Sequence, residues 1–201
     1  MSGSNHDEFV LQNRLFAVLQ SPEVDRIDFT LGSIKVDGPG LREVVVSLML
    51  GTVHIAIKPM PAGAAAQYDT DGNTFLFPNG AFGAKDSDNS YLVHESVHAM
   101  QDIDYGYDFS RGDHFTLESE NEAAAYVAGD LYDIYKKIGR SDAAATPWGA
   151  ARAIADKIKD TPGAVVSDAD AANLRAVIAA DPTYRSKDFA SDTTYSNGAC
   201  K

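Results

Sequence analysis

The chain of 201 residues contains a single cysteine, Cys200, next to the C-terminus. One cysteine cannot form an intramolecular disulfide, and it cannot supply the several thiolates of a structural zinc site. Any metal site in this chain must therefore be built from histidine and carboxylate side chains. We expect Cys200 itself to be an exposed tail residue without a role.

Basic residues are also scarce. The chain has 17 Lys and Arg against 29 Asp and Glu, which gives a net charge of −12. The basic residues are scattered, and only Lys136 and Lys137 are adjacent. Because a surface that binds phosphates needs clustered Lys and Arg, the sequence predicts no nucleic-acid partner. We interpret the acidic surface as a source of solubility.

Long apolar runs are missing as well. The longest, around residues 44–57, is interrupted by Ser47, Gly51, Thr52 and His54, and is too short to cross a bilayer. The first ten residues lack a basic start followed by an apolar stretch, so we expect no secretory signal. The sequence thus predicts no membrane association, and it leaves a cytoplasmic location and export without a classical signal both open.

The pattern in the first half of the chain predicts one helix followed by strands. Residues 6–20 have a helical apolar stripe formed by Leu11, Leu15, Val18 and Leu19. Residues 26–36 predict one or two strands with a break at Gly32, and 53–58 predict another. Periodicity leaves 41–50 open between helix and buried strand. Residues 64–78 predict a hairpin around Asp71-Gly72.

The second half predicts mainly helices. The first contains residues 91–102, with Asp88, Asn89 or Ser90 as N-cap, and ends before Gly106. The next runs from an N-cap at Thr116 to a C-cap at Gly139. Two more are predicted over 147–159 and 168–180. We therefore expect one α+β domain over residues 1–201, with an N-terminal helix within 1–20 and a loosely ordered tail over 184–201.

One short motif carries chemistry. His94, Glu95 and His98 form an H-E-x-x-H sequence, and a separation of four places both imidazoles on one face of a helix. Zinc binds neutral imidazoles and carboxylates, and a catalytic site leaves one position for water. Glu95 is adjacent to the first ligand, where it can accept a proton from that water. Apolar residues on both sides indicate a buried helix, in which such polar groups are costly unless paired or coordinated.

A third ligand must come from elsewhere, and three glutamates lie 20 to 24 residues after His98 on the next predicted helix: Glu118, Glu120 and Glu122. This layout resembles the gluzincin metallopeptidases, the thermolysin-like branch of the zincins. The resemblance covers about residues 92–132, and the preceding hairpin resembles their upstream sheet. It implies a zincin-like α+β fold: a small antiparallel or mixed sheet, an active-site helix, a second ligand-bearing helix and further C-terminal helices.

The resemblance also implies roles. His94 and His98 would bind Zn²⁺ and Glu95 would be the general base. The family pattern on the second helix matches from Glu122, which we take as the third ligand. Glu118 is the first alternative, because it keeps the family's distance from His98, and Glu120 is the second.

Supporting residues are less clearly marked. On the Glu122 alignment, Tyr126 stands where the family has an acidic residue behind the ligands, and Asp102 is a candidate for orienting a histidine. His114, Tyr126, Tyr105 and Tyr107 are candidates for stabilising an oxyanion. The strand over residues 74–77 could be a sheet edge that binds extended substrate.

The sequence therefore predicts a zinc-dependent metallopeptidase that cleaves peptide bonds with metal-activated water, and whose partner is a peptide or protein substrate. The chain has no G-x-S-x-G motif, no phosphate-binding loop and no third histidine in metzincin register. The alternative is a non-catalytic binding or sensory module of the same fold, with a structural metal or a hydrogen-bonded cluster. A housekeeping peptidase and a delivered toxin both remain open.

Overall fold

A computed structural model describes residues 4–60, 64–107, 116–182, 184 and 194–195. The described helices are α1 (Ser4–Leu19), α2 (Gly38–Leu50), α3 (Asp86–Tyr107), α4 (Glu118–Lys136), α5 (Pro147–Ile158) and α6 (Asp168–Ala180), with a short 3-10 helix at Val24–Arg26. The described strands are β1 (Asp28–Leu31), β2 (Ile34–Asp37), β3 (His54–Ile57), β4 (Gln67–Asp69), β5 (Thr74–Phe77), β6 (Thr116–Leu117), β7 (Ala164–Val165) and β8 (Thr194–Tyr195). The predicted α+β class is confirmed.

The strands form small mixed sheets rather than the single sheet expected from the sequence. One sheet has the order β2-β1-β7, in which β1 is antiparallel to β2 and parallel to β7. A second has the order β3-β5-β4, in which β5 is parallel to β3 and antiparallel to β4. The predicted hairpin is thus the β4-β5 pair. Strands β6 and β8 form a separate antiparallel pair.

Strand β5 is not the edge that we expected from the sequence. It is paired on both sides, by β3 and by β4, and the outer strand on the α3 side is β4. Alternation of apolar residues in a strand this short does not reveal which neighbours it pairs with. The edge that could receive an extended peptide is therefore β4.

Residues 41–50, which the pattern left open, belong to helix α2. The Asp37 side chain accepts a hydrogen bond from the Gly40 amide at 2.8 Å, and Pro39 lies in the first turn, where a missing amide hydrogen costs nothing. The helix ends at Gly51, whose φ of 71° is left-handed. The capping residues at its two ends therefore indicate a helix, whereas the periodicity of the apolar residues did not distinguish a helix from a strand.

Four predicted helix ends are wrong. Helix α3 begins at Asp86, so all three proposed caps (Asp88, Asn89 and Ser90) lie within it, and it continues past Gly106 to Tyr107. Thr116 is a strand residue, and α4 begins two residues later. The left-handed residue after α4 is Lys137, with φ 61°, and not Gly139. Side chains and sheet pairing extend or shorten a helix beyond what its own caps dictate.

Two contacts involve residues of the segment 184–201 that the sequence predicts to be a loosely ordered tail. Tyr184 is buried against the core, and Thr194–Tyr195 pairs with Thr116–Leu117. The remaining residues of 184–201, including Cys200, lie outside the described part of the chain. The polar composition of this segment gave no signal for either contact.

Helices α3, α4 and α5 pack together at the centre of the molecule. The face of α4 carries the fully buried small residues Ala123, Ala124 and Ala125, and Gly129 follows one turn later. A methyl group at Gly129 would lie 2.9 Å from both the Ser90 carbonyl oxygen of α3 and the Trp148 ring of α5. Small residues thus let α4 approach both neighbours closely.

No helix within the described ranges has the length and apolar character needed to cross a membrane.

We expect Gly129→Ala to destabilise the protein. An alanine in an isolated helix would gain about 1 kcal/mol over glycine, but overpacking at this contact costs about 1–3 kcal/mol. The midpoint of denaturant unfolding measures the balance. Gly139→Ala is the matched control, since no atom lies within 4 Å of its added methyl group. Greater stability of the Gly129 variant would contradict the close approach of the three helices.

Candidate metal centre

Helix α3 places the two motif histidines side by side. His94 is buried and the His98 side chain is 13% exposed, and their Nε2 atoms are 3.3 Å apart. Their rings meet edge to face, with centroids 5.0 Å apart. This is the arrangement expected for residues one helical turn apart whose side chains turn toward a common point.

Helix α4 brings Glu122 to the same point. Its Oε2 atom lies 3.4 Å from His94 Nε2 and 3.7 Å from His98 Nε2, and its side chain is 9% exposed. Three ligands bound tetrahedrally to zinc at 2.0–2.1 Å would be about 3.3–3.4 Å apart. The three atoms are therefore spaced as the corners of one face of a zinc tetrahedron, so these residues fit a zinc ion, and no fourth side chain among the described residues joins the group.

The three ligand atoms are strongly coupled. Burial works against a charged imidazole at His98, but the Glu122 carboxylate and, more weakly, Glu95 and Asn121 outweigh it and raise the His98 pKa to about 9. Burial would raise the pKa of Glu122, but His98 and His94 hold it well below its usual value. Without metal, the cluster thus holds a proton on His98 beside an ionised Glu122.

Asn121, directly before Glu122, sets the orientation of His98. Its Oδ1 lies 2.6 Å from His98 Nδ1 and accepts the hydrogen from that nitrogen. In the neutral histidine this leaves the lone pair on Nε2, which faces the cluster. Asn121 is not among the residues predicted from the sequence, and its position directly before Glu122 was the only available signal.

His94 is held differently. Its Nδ1 is buried and has no hydrogen-bond partner within the described residues. Aromatic rings confine the imidazole instead: Tyr126 lies edge-on with centroids 4.6 Å apart, and Trp148 lies at 5.9 Å. The Tyr126 and Trp148 rings also pack on each other at 4.9 Å. The ring of His94 is thus fixed by packing.

Glu95 lies next to the cluster and is anchored to the sheet. Its Oε2 accepts a hydrogen bond from the Tyr68 amide of β4 at 2.7 Å, and the residue is buried. That amide points away from β5 and toward α3. The bond fixes the carboxylate beside the two histidines and places the outer side of β4 along the cluster.

Two tyrosine hydroxyls form a chain that ends on the ligand oxygen. Tyr184 donates to Glu122 Oε2 at 3.0 Å, and the Tyr126 and Tyr184 hydroxyl oxygens are 2.8 Å apart. Burial, together with the charge of Glu122, raises the pKa of both hydroxyls, so both stay protonated. Tyr184 was assigned to the loose tail, and no sequence signal connected it with Glu122.

The remaining candidates lie elsewhere. Glu120 Oε1 accepts from the Ser33 amide at 3.2 Å, on the turn between β1 and β2. Glu118 is not part of the group of side chains close enough to share a metal. Asp102 is buried and accepts from the Tyr68 hydroxyl at 2.9 Å, whereas the histidine contact expected of it is made to His98 by Asn121.

Three of the four residues proposed to stabilise an oxyanion have side chains outside the described part of the structure. His114 lies outside the described residues, and the Tyr105 and Tyr107 side chains are likewise outside the described part, although both belong to α3. Tyr126 is the one of these four candidates whose side chain is described, and it packs on His94.

Comparisons with protein-family models, with curated proteins and with solved structures found no match for this chain. The site must therefore be interpreted from its own geometry.

We expect zinc affinity to rise with pH up to about 9. His98 has a raised pKa in the metal-free protein, so zinc must displace its proton at any lower pH, and the apparent affinity falls by up to about tenfold per pH unit below 9. Competition with a chromophoric chelator at pH 6.5, 7.5 and 8.5 measures this slope. An affinity that does not change between pH 7.5 and 8.5 would show that His98 is already neutral.

We also expect Tyr184→Phe to weaken zinc binding. Removing the hydroxyl leaves Glu122 without one of its orienting donors, and such changes behind a metal ligand typically cost about 10-fold to 100-fold in affinity. The same chelator competition gives the dissociation constant. Tyr135→Phe is the matched control, because its hydroxyl bonds the distant Lys159 carbonyl. Equal zinc affinity in both variants would show that the Tyr184 hydroxyl does not help to orient Glu122 for zinc binding.

Proposed function

We propose that this protein is a zinc-dependent metallopeptidase of the gluzincin type, with His94, His98 and Glu122 as metal ligands and Glu95 as general base. The observation that carries the proposal is the spacing of the three ligand atoms, 3.3, 3.4 and 3.7 Å, in a buried cluster. Two imidazoles and one carboxylate are a donor set that suits zinc. A fourth position to which no described side chain contributes a ligand favours catalysis over a purely structural role.

A zinc ion at this site would act as a Lewis acid toward a carbonyl and would make water a better nucleophile. The role of Glu95 is to accept a proton from the attacking water and later to deliver it to the leaving amine. The Tyr68 amide supports this role, because it holds the carboxylate in one orientation beside the ligands. Pre-set geometry of this kind lowers the cost of reaching the reactive arrangement.

A peptide substrate is favoured by the edge of the neighbouring sheet. Strand β4 is the outer strand next to α3, and the Tyr68 amide on its outer side reaches Glu95. An extended peptide that lay along this edge would run beside the ligand cluster, and it would pair with groups of β4 other than the Tyr68 amide, which already bonds Glu95. The edge thus supports a peptide-bond hydrolase over a hydrolase of small esters or amides.

One observation favours the alternative, a non-catalytic module with a structural metal. The Glu95 hydrogen bond to Tyr68 joins α3 to β4 and would stabilise the fold even without catalysis. The two functions differ in what a neutral residue at position 95 does. If Glu95 has only a structural role, an amide side chain that retains the hydrogen bond can replace it. If Glu95 is a general base, an amide cannot replace it.

We expect Glu95→Gln to retain zinc and lose hydrolysis. Gln keeps an oxygen for the Tyr68 amide but cannot take a proton, and general-base catalysis contributes about 10²–10⁴-fold in rate. Zinc content after reconstitution and the cleavage of labelled casein and of a mixed peptide library measure the two properties. Wild-type turnover by this variant would reject Glu95 as the base.

The ligand assignment is tested separately. His94→Ala and Glu122→Gln should lose zinc, while Glu120→Gln should keep it, because Glu120 bonds Ser33 away from the cluster. Wild-type protein that takes up no zinc would overturn the whole proposal. Wild-type protein that binds one zinc but cleaves no peptide bond would favour the non-catalytic module.

A further inference from the structure

A second polar cavity lies behind the metal centre. It has a volume of about 300 Å³ and is formed by α4, by the segment after α4 and by α5. This volume is at the lower end of the range for pockets that hold small molecules. The ring of Trp148 lies between the two sites, since it packs against His94 and, at 3.9 Å, under the Arg140 guanidinium at the cavity wall.

Asp130 contributes a carboxyl group to the cavity wall from α4. The residue is fully buried, and neither of its oxygens accepts a hydrogen bond from any residue that the structure describes. The nearest cation is Arg152, whose Nη1 is 3.8 Å from Oδ1, beyond hydrogen-bond distance. Burial and the charge of Asp133 outweigh the two arginines and raise the Asp130 pKa to about 8. Asp130 thus lacks donors.

Arg152 lacks a hydrogen-bond acceptor, whereas Asp130 lacks donors. Its Nη1 is buried and has no acceptor within the described part of the chain, and its Nε lies 3.6 Å from Asp156. A buried guanidinium nitrogen without an acceptor is as costly as a carboxylate without donors. The cavity therefore presents one group that needs donors next to one group that needs an acceptor.

The other charged groups of the wall balance each other. Arg140 Nε pairs with Asp142 Oδ2 at 3.2 Å, so these two residues leave no net charge. Without a bound ligand Asp130 keeps its proton at neutral pH, but an ammonium group bound beside it would favour the ionised carboxylate, and the lining would then contain two positive and two negative side chains. A simple cation would satisfy Asp130 but leave Arg152 Nη1 without an acceptor, and a simple anion would do the reverse. An occupant that carries both charges satisfies both groups.

We propose that this cavity is a binding site for a free α-amino acid, whose ammonium group donates to Asp130 and whose carboxylate accepts from Arg152. A zwitterion of that size fits the volume, carries no net charge and brings the two groups that the wall lacks. The site is independent of zinc and of the proposed peptidase activity, because none of the metal ligands lines it.

The test is a panel of the twenty free L-amino acids, followed by thermal shift and isothermal titration on the full chain. We expect at least one to bind. The N-acetyl derivative of that amino acid lacks the ammonium group, and its C-terminal amide lacks the carboxylate. Each derivative should bind about tenfold or more weakly. These comparisons use wild-type protein and do not depend on whether a variant folds.

Variants then locate the site. Asp130→Asn and Arg152→Met should each weaken binding of the same amino acid about tenfold or more. Asp156→Asn is the matched control: it touches Arg152 but does not line the cavity, and its affinity should stay within about twofold. Binding that survives both Asp130→Asn and Arg152→Met would place the ligand elsewhere and overturn the proposal. Failure of all twenty amino acids to bind would likewise overturn the proposal.

Discussion

The packing of α4 against α3 is the constraint on which the candidate site depends. The two motif histidines lie on α3 and the third ligand lies on α4, so the cluster exists only where these helices meet. Small residues on α4, with Gly129 against the Ser90 carbonyl, allow the backbones to approach closely. Any change in this distance would separate Glu122 from the imidazoles. A close contact between a glycine and the backbone of the neighbouring helix therefore decides the geometry of the three clustered side chains.

Burial makes the cluster costly unless its members are paired or coordinated. His94, His98 and Glu122 are all largely removed from water, and in the metal-free protein a proton on His98 balances the Glu122 charge. A zinc ion would replace that proton with a stronger and more directional charge. Each ligand is also held from behind: His98 by Asn121, His94 by aromatic rings, and Glu122 by Tyr184. Side chains restrained in this way are pre-organised for one ion.

Trp148 joins the metal centre to the rest of the helical half. One side of its ring contacts His94 and Tyr126, and Arg140 stacks on it at the wall of the second cavity. Trp148 is therefore the side chain that connects the two candidate sites, which share no ligand. Asp130 lies on the same helix as Glu122, about two turns further along α4.

Much of the local structure was predictable because it depends on neighbours in the chain. The amphipathic stripe of α1, the β4-β5 hairpin and helices α5 and α6 follow from periodicity and turn residues. The exact helix ends were not. The start of α4 depends on the pairing of Thr116–Leu117 with a distant strand, and its end is formed by a left-handed lysine, Lys137, where a glycine was expected. The edge strand was misassigned because the residues of a strand do not determine how many other strands pair with it.

The sequence by itself determined that any metal here must be held by histidine and carboxylate, and that His94 and His98 face one side of a helix. That spacing is a property of the α-helix and needs no tertiary contact. Only the tertiary structure decided which of Glu118, Glu120 and Glu122 lies beside the two histidines, because three glutamates on one helix differ only in the direction they point when that helix packs. It also brought in Tyr68, Tyr184 and Trp148, which are distant in the chain and reach the site only through the packing of the core.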